Sequence, residues 1–379
     1  MNTTVGRVWF MAASNRQTWA EYRASLPRRL VPGFSHPTGP ARTPGRQSPA
    51  LRLQSSEQIT QGCWSLRSVA MATMQALVAD ERGGPEQLRM ATVPRPEPGP
   101  GEVLVEVHAA AITFAELGWP ESWTHRPMIP SHEMSGVVAA CGPGVTDLAD
   151  GDQVFGLIRF DRLGAAAEYV TVPADDLARR PRQIPHVLAA ALPLAGLTGW
   201  QSLHDHAGLR PDDEVLVHGG AGGVGGFAVQ LAAQAGATVT ATVRGADDAR
   251  IARKLGARRV IDVTSTAFDP GPARYDIVLD TVAGETLERS YPLLRPGGRL
   301  VTLATPPSTE RAAKYHATAL FFIVTPDRDE LAELAELVDC GALHVTIAAT
   351  FPLTKGRAAF ESGQNQHRPA GKTVLIVRE

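Results

Sequence analysis

The chain has 379 residues, 44% hydrophobic and 20% charged, with a formal net charge of −2; this allows two or three domains with a sizeable core and gives no general attraction to nucleic acid. No stretch approaches the roughly 18–20 apolar residues of a membrane span, and the longest apolar run, 187–197, is broken by Pro193. Three widely separated cysteines, Cys63, Cys141 and Cys340, exclude a zinc ribbon or disulfide scaffold and fit a reducing compartment.

Residues 1–70 hold nine Arg, no Lys and two acids, Glu21 and Glu57, a net +7 that leaves −9 for the rest. Six prolines and eight serines interrupt the segment. It has too little apolar surface to offset its ordering entropy, and residues 1–73 read as a disordered basic leader. An Arg-rich, Ser-rich, acid-poor leader resembles a transit peptide. The competing account is a start-site artefact, with translation beginning at Met71 or Met74. The expected location is cytoplasmic, or mitochondrial if the leader is a genuine transit peptide.

Regular patterns begin at Met74. Residues 75–80, 103–107, 134–141, 153–156 and 165–172 read as short strands punctuated by Gly/Pro turns, which suggests a small β-barrel-like domain. Residues 186–207 read as helix, broken at Pro193. Strands then alternate with helices. Strands are expected at 214–218, 238–243, 260–263, 276–280, 300–304 and 321–325, and helices at 223–235, 247–255 and 327–340. The helix at 223–235 shows Val224, Phe227, Ala228, Leu231, Ala232 and Ala235 on one face. Such alternation implies a parallel sheet covered on both faces. A strand at 373–378 closes the chain.

The most informative run is Val215 to Gly225, where Gly220, Gly222 and Gly225 form G-x-G-x-x-G between an apolar strand and an amphipathic helix. The first glycine permits a tight turn, the second lets amides approach a pyrophosphate, and the third brings helix and sheet together. Gly223 and Val224 open the helix, whose N-terminus favours phosphate charge. A dinucleotide site is expected at these five residues. At the end of the following strand, where an NAD site carries an acid, stands Arg244. A guanidinium there grips a 2′-phosphate in bidentate fashion, so NADP(H) is the expected cofactor.

At this point residues 74–379 resemble the medium-chain dehydrogenase/reductase superfamily, most closely its zinc-independent quinone or enone reductases. The resemblance rests on motifs at 98–107, 130–136, 151–156, 192–200, 215–228 and 371–375, taken in order. It implies an α/β chain in which a GroES-like β-barrel-type domain, residues 74–195 and 344–379, carries an inserted Rossmann doubly wound parallel sheet domain, residues 196–343. It also implies a homodimer. Zinc-dependent relatives hold their metal with Cys, a Gly-His-Glu histidine and a second Cys. The matching positions here are Thr113, His132 in Ser131-His132-Glu133, and Leu194. With two of three ligands gone, no metal is expected.

The resemblance implies hydride transfer from nicotinamide to a quinone or an α,β-unsaturated carbonyl. Thr198 is expected beside the nicotinamide and Thr113 on a substrate oxygen. Glu116 matches a family acid position and serves the chemistry or holds the loop. Lys372 is expected to reach the nucleotide. Trp119 and Trp123 are candidates to wall a flat pocket. The expected partners are a small-molecule quinone or enone, with no nucleic acid and no membrane. Two other readings stand beside this one: a non-catalytic NADPH-binding protein, and an enoyl reductase acting on enoyl thioesters.

Overall fold

The computed structural model describes residues 72–265, 273–365 and 368–378. The basic leader read at 1–73 lies outside them, apart from its last two residues.

The hairpin β1 (Thr73–Ala79) and β2 (Leu88–Pro94) opens the fold. There follow β3 (Glu102–Ile112), β4 (Glu133–Cys141), β5 (Gln153–Leu157), β6 (Tyr169–Pro173) and β7 (Leu177–Arg179). Valines and alanines of β3 are buried nearly throughout, because the strand is central and pairs β4, β6 and a late-arriving strand at once. The short helix α1 (His186–Ala189) precedes α2 (Pro193–Trp200), and residues 201–206 widen into a π-helical turn. Pro193 thus begins a helix, where its missing N–H costs nothing, instead of interrupting one.

The chain then alternates through β8 (Glu214–Val217), α3 (Gly223–Gln234), β9 (Thr238–Val243), α4 (Ala246–Lys254), β10 (Arg259–Asp262), β11 (Tyr275–Asp280), α5 (Glu285–Ser290), β12 (Leu294–Thr302), α6 (Thr309–Lys314), β13 (Thr318–Phe321) and α7 (Arg328–Asp339). Its six strands form one parallel sheet in the order β10-β9-β8-β11-β12-β13. Finally β14 (Ile347–Pro352), α8 (Gly356–Glu361) and β15 (Lys372–Ile376) return to the first sheet, whose order is β14-β15-β3-β4-β5-β7 with β6 on β3. This is the expected architecture: a barrel-type sheet from the two ends of the chain, with a doubly wound sheet inserted between them.

Several expectations require correction. Helix α3 is buried on all sides from Gly225 to Ala232, Val229 and Gln230 included. Gln230 is tolerated there because its amide donates to the carbonyls of Gly226 and His344 and accepts from His344 N. The strand expected at 321–325 is instead β13, which ends at Phe321. Its partner β12 ends at Thr302, the residue paired with Phe321, so the apolar run beyond has no ladder to join. The strand expected from 165 begins at Tyr169. Ala165 and Ala166 are nonetheless buried and hydrogen-bonded to Ser131 O and Pro130 O. Among the described residues no helix is long and apolar enough to cross a membrane.

Candidate active site

Strand β8 lies between β9 and β11, so the chain leaves it toward one edge of the sheet and later returns on the other side. Such a switch point opens a crevice at the carboxyl ends of the strands, the usual ligand position in an open α/β sheet. Two turns border it. The first is the glycine-rich turn. Its left-handed residue is Gly219 (φ +70), with Gly220 serving close packing: a Cβ at Gly220 would lie 2.5 Å from the Ala241 methyl. Gly225 is equally constrained, since a Cβ there would meet Gly219 O at 2.2 Å. The tight-turn role assigned from sequence to Gly220 therefore belongs to its neighbour. Gly222 caps α3, and the first bond of the helix runs from Gly226 N to Gly222 O. The amides of Gly223, Val224 and Gly225 precede that bond and point along the helix mouth.

The second turn follows β11. The buried Asp280 carboxylate accepts from the amides of Val282 (2.9 Å) and Ala283 (3.1 Å). Burial pushes its pKa up, and these two amides pull it back. Ala283 sits at φ +67, a backbone that side chains seldom adopt outside functional turns. Thr281 Oγ1 donates to His218 O at 2.8 Å, which ties the two turns together. His218 is fully buried between Thr242 Oγ1 (3.1 Å) and Ser290 Oγ (3.0 Å), and burial drives its pKa down to about 3.

Arg244 follows β9 directly and is exposed. On the helix that follows, the Asp248 carboxyl is raised chiefly by burial and held back by the Arg244 backbone amide and charge. Asp262 ends β10, and its carboxylate accepts from Thr264 and from Gly245 N. These bonds, the Thr264 side chain first, lower its pKa to about 2. Sequence inspection missed Arg368. Desolvation, and after it the charge of Arg244, holds this guanidinium below its ordinary range, and its carbon stacks 4.9 Å over the Phe114 ring. The two arginines come from segments far apart in sequence, which is why no local pattern announced the pair.

The other wall comes from the barrel-type sheet. Glu116 is buried and clamps two loops. Oε1 accepts from Thr113 N (3.3 Å), and Oε2 accepts from Ser131 N (3.0 Å) and faces His132 Nδ1 (3.0 Å). His132 Nε2 faces Arg162 O at 3.3 Å, so both ring nitrogens have protein partners. Of the two roles left open for Glu116, the geometry fits the loop-holding one. Phe160 packs edge-on to both His132 (5.4 Å) and Trp119 (5.1 Å), forming an aromatic cluster beside the Glu116 loop. Trp123 instead donates its indole N–H to Leu117 O and packs under the loop.

Glu133 is wholly buried. Oε1 lies 2.6 Å from Lys372 Nζ, and Oε2 accepts from Leu194 N at 3.0 Å. Burial pushes this carboxyl up, opposed mainly by the Lys372 charge. Leu194 O in turn accepts from Thr198 Oγ1 at 2.5 Å. Lys372 also donates to Ile112 O (3.1 Å) and Thr113 Oγ1 (3.3 Å). The ammonium thus faces three protein oxygens: Ile112 O and Thr113 Oγ1 accept hydrogen bonds, and Glu133 Oε1 is its ion-pair partner. The aliphatic stem of Lys372 borders the glycine-rich turn, 3.0 Å from where a Gly223 Cβ would stand, while its ammonium turns to Glu133 and Thr113. Lys372 thus touches Thr113 and borders the glycine-rich turn, and Glu133 links it through Leu194 to Thr198.

Comparison with known proteins agrees with this geometry. Residues 99–182 match the family model for the alcohol dehydrogenase GroES-like domain, and residues 255–375 match that for a zinc-binding dehydrogenase. The chain is 30% identical to the mitochondrial NAD(P)H oxidoreductase RTN4IP1 of Danio rerio, over 83% of this chain and 94% of the relative. It is 30% identical to a 2-haloacrylate reductase of a Burkholderia species, over 80% and 99% respectively. The solved quinone oxidoreductase of Coxiella burnetii superposes with a TM-score of 0.75 at 31% identity, covering 81% of this chain and 100% of that one.

Proposed function

The chain belongs to the medium-chain dehydrogenase/reductase superfamily, among its quinone- and enone-type oxidoreductases, and from that premise we propose that it is a zinc-independent, NADPH-dependent reductase of quinones or α,β-unsaturated carbonyls. Bound at the switch point, NADPH supplies a hydride, two electrons with one proton, to an acceptor carbon; the charge that develops on the acceptor oxygen is neutralised by a proton from water.

The chain's residues account for the rest. Helix-mouth amides at Gly223, Val224 and Gly225 hold the diphosphate. Thr198 orients the nicotinamide end, and its hydroxyl proton is already committed to Leu194 O. Thr113 donates a hydrogen bond from its hydroxyl to the acceptor oxygen, and keeps its proton. Phe160 and Trp119 flank a flat substrate.

The donor set does not fit a catalytic zinc. Leu194 offers no ligand atom, His132 is engaged on both nitrogens, and the Lys372 ammonium lies against Thr113. Among the described residues no cluster of three or more His, Cys, Asp or Glu side chains could hold a metal ion. Without a Lewis acid, alcohol oxidation loses its usual activation, whereas hydride delivery to an electron-poor acceptor remains feasible.

The observation that carries the cofactor reading is Arg244 itself, exposed directly after β9, where an NAD site carries an acid. A 2′-phosphate there accepts from the Arg244 guanidinium, with the charge of Arg368 adding to the attraction. The test is steady-state oxidation of NADPH and NADH with quinones, enones and enoyl thioesters. Arg244→Ala is expected to raise the KM for NADPH by about tenfold or more, the worth of one charge-assisted contact, and to leave NADH unaffected. Equal effects on the two cofactors would refute the assignment.

A further inference from the structure

Of the four lysines in the chain, Lys254, Lys314 and Lys355 are exposed and Lys372 is buried. A buried ion pair is weak support for stability, since apolar side chains of similar volume hold a fold as well. The Lys372–Glu133 pair therefore needs another explanation, and its surroundings offer one. Lys372 donates to the oxygen of Thr113, the hydroxyl assigned to the acceptor. A hydroxyl that accepts from an ammonium keeps its own proton free to donate outward, and the positive charge behind it strengthens that donation. Glu133 fixes the ammonium through one oxygen and, through the other, the amide of Leu194, whose carbonyl holds Thr198. One carboxylate thereby sets the positions of both hydroxyl groups.

We propose that Lys372 is a positioning residue: anchored by Glu133, its buried ammonium orients and polarises the Thr113 hydroxyl toward the oxygen of the acceptor. This rests on the reading of the site as a carbonyl or quinone reductase. Lys372 keeps its proton throughout, and the proton consumed comes from solvent.

The test is a double-mutant cycle on the full chain with benzoquinone and cyclohexenone. Thr113→Val is expected to lower kcat by about a hundredfold, the scale of losing one donor to a developing oxyanion. Lys372→Met is expected to lower kcat about tenfold or more with the KM for NADPH unchanged, and by less than about twofold once Thr113 is already valine. Should Lys372→Met fail to fold because Glu133 is left unpaired, the cycle is run with Glu133→Gln as the parent. Multiplicative losses, or a raised KM for NADPH with kcat preserved, would overturn the proposal. A second readout needs no turnover. With nitrogen-15 lysine, the Lys372 ammonium is expected to give the one protected signal of the four and to shift in Thr113→Val. If no acceptor is reduced, the functional reading fails, and an ammonium signal that Thr113→Val leaves unmoved overturns the positioning role separately.

Discussion

Replacing Ser131 with glycine should stabilise the protein. Ser131 occupies φ +71, and its hydroxyl is buried with no hydrogen-bond partner. Its backbone is well used: the amide donates to Glu116 Oε2, and the carbonyl accepts from Ala165 N at 2.6 Å. Glycine keeps both bonds. It removes about 1–2 kcal/mol of left-handed strain and about 1–3 kcal/mol from the orphaned hydroxyl. It returns about 0.5–1 kcal/mol through the freer unfolded chain. The net expectation is about 2 kcal/mol of added stability, read as a higher urea midpoint at constant m. Ser131→Ala separates the contributions, because it removes the hydroxyl and leaves the strain. The glycine variant should exceed the alanine variant by about 1 kcal/mol. A glycine variant no more stable than the alanine one would refute the reasoning, since backbone strain would then contribute nothing.

Two further expectations follow from the site. His218 is neutral when folded, with a pKa of about 3, whereas the unfolded chain protonates near pH 6.5. A histidine lowered by folding contributes stability that is complete above pH 6.5 and drains away as pH falls toward 3. The loss from His218 is at most about 5 kcal/mol. His186, lowered to about 4 by burial and by the charges of His108 and Arg180, adds about 1–2 kcal/mol after allowance for its exposure. Stability measured by urea titration across this range should fall steeply, and a flat profile from pH 6 to 4 would exclude the account. Gly225→Ala places a methyl 2.2 Å from Gly219 O and should weaken NADPH binding about a hundredfold or more by displacing the turn. Calorimetry on a variant of native circular dichroism checks this, and unchanged affinity would count against the role given to that glycine.

Local chemistry was the legible part of this sequence. β9 falls at the expected residues because Thr-Val-Thr-Ala-Thr-Val is a buried strand of high β-propensity between clear turns. The glycine-rich turn and α3 were equally visible. Misreadings came where a partner decides. Phe321 to Thr325 has the composition of a strand, yet β12 runs out at Thr302, and Thr325 N bonds the Gln201 side chain instead. β14 went unnoticed because its side chains are half-buried or exposed and show no alternation. In the site, Thr113, Thr198 and Arg244 could be named from motifs, whereas Arg368 beside Arg244 and Lys372 on Glu133 are long-range meetings with no local signature.

The return of β15 to β3 has a consequence for how the protein is made. Lys372 reaches across 259 residues to Thr113. A ribosome delivers all six strands of the nucleotide-binding sheet before it delivers this lysine. A nascent chain therefore holds the parallel sheet and its glycine-rich turn while Arg368 and the charge behind Thr113 are still to come, so the proposed site is assembled only after its scaffold.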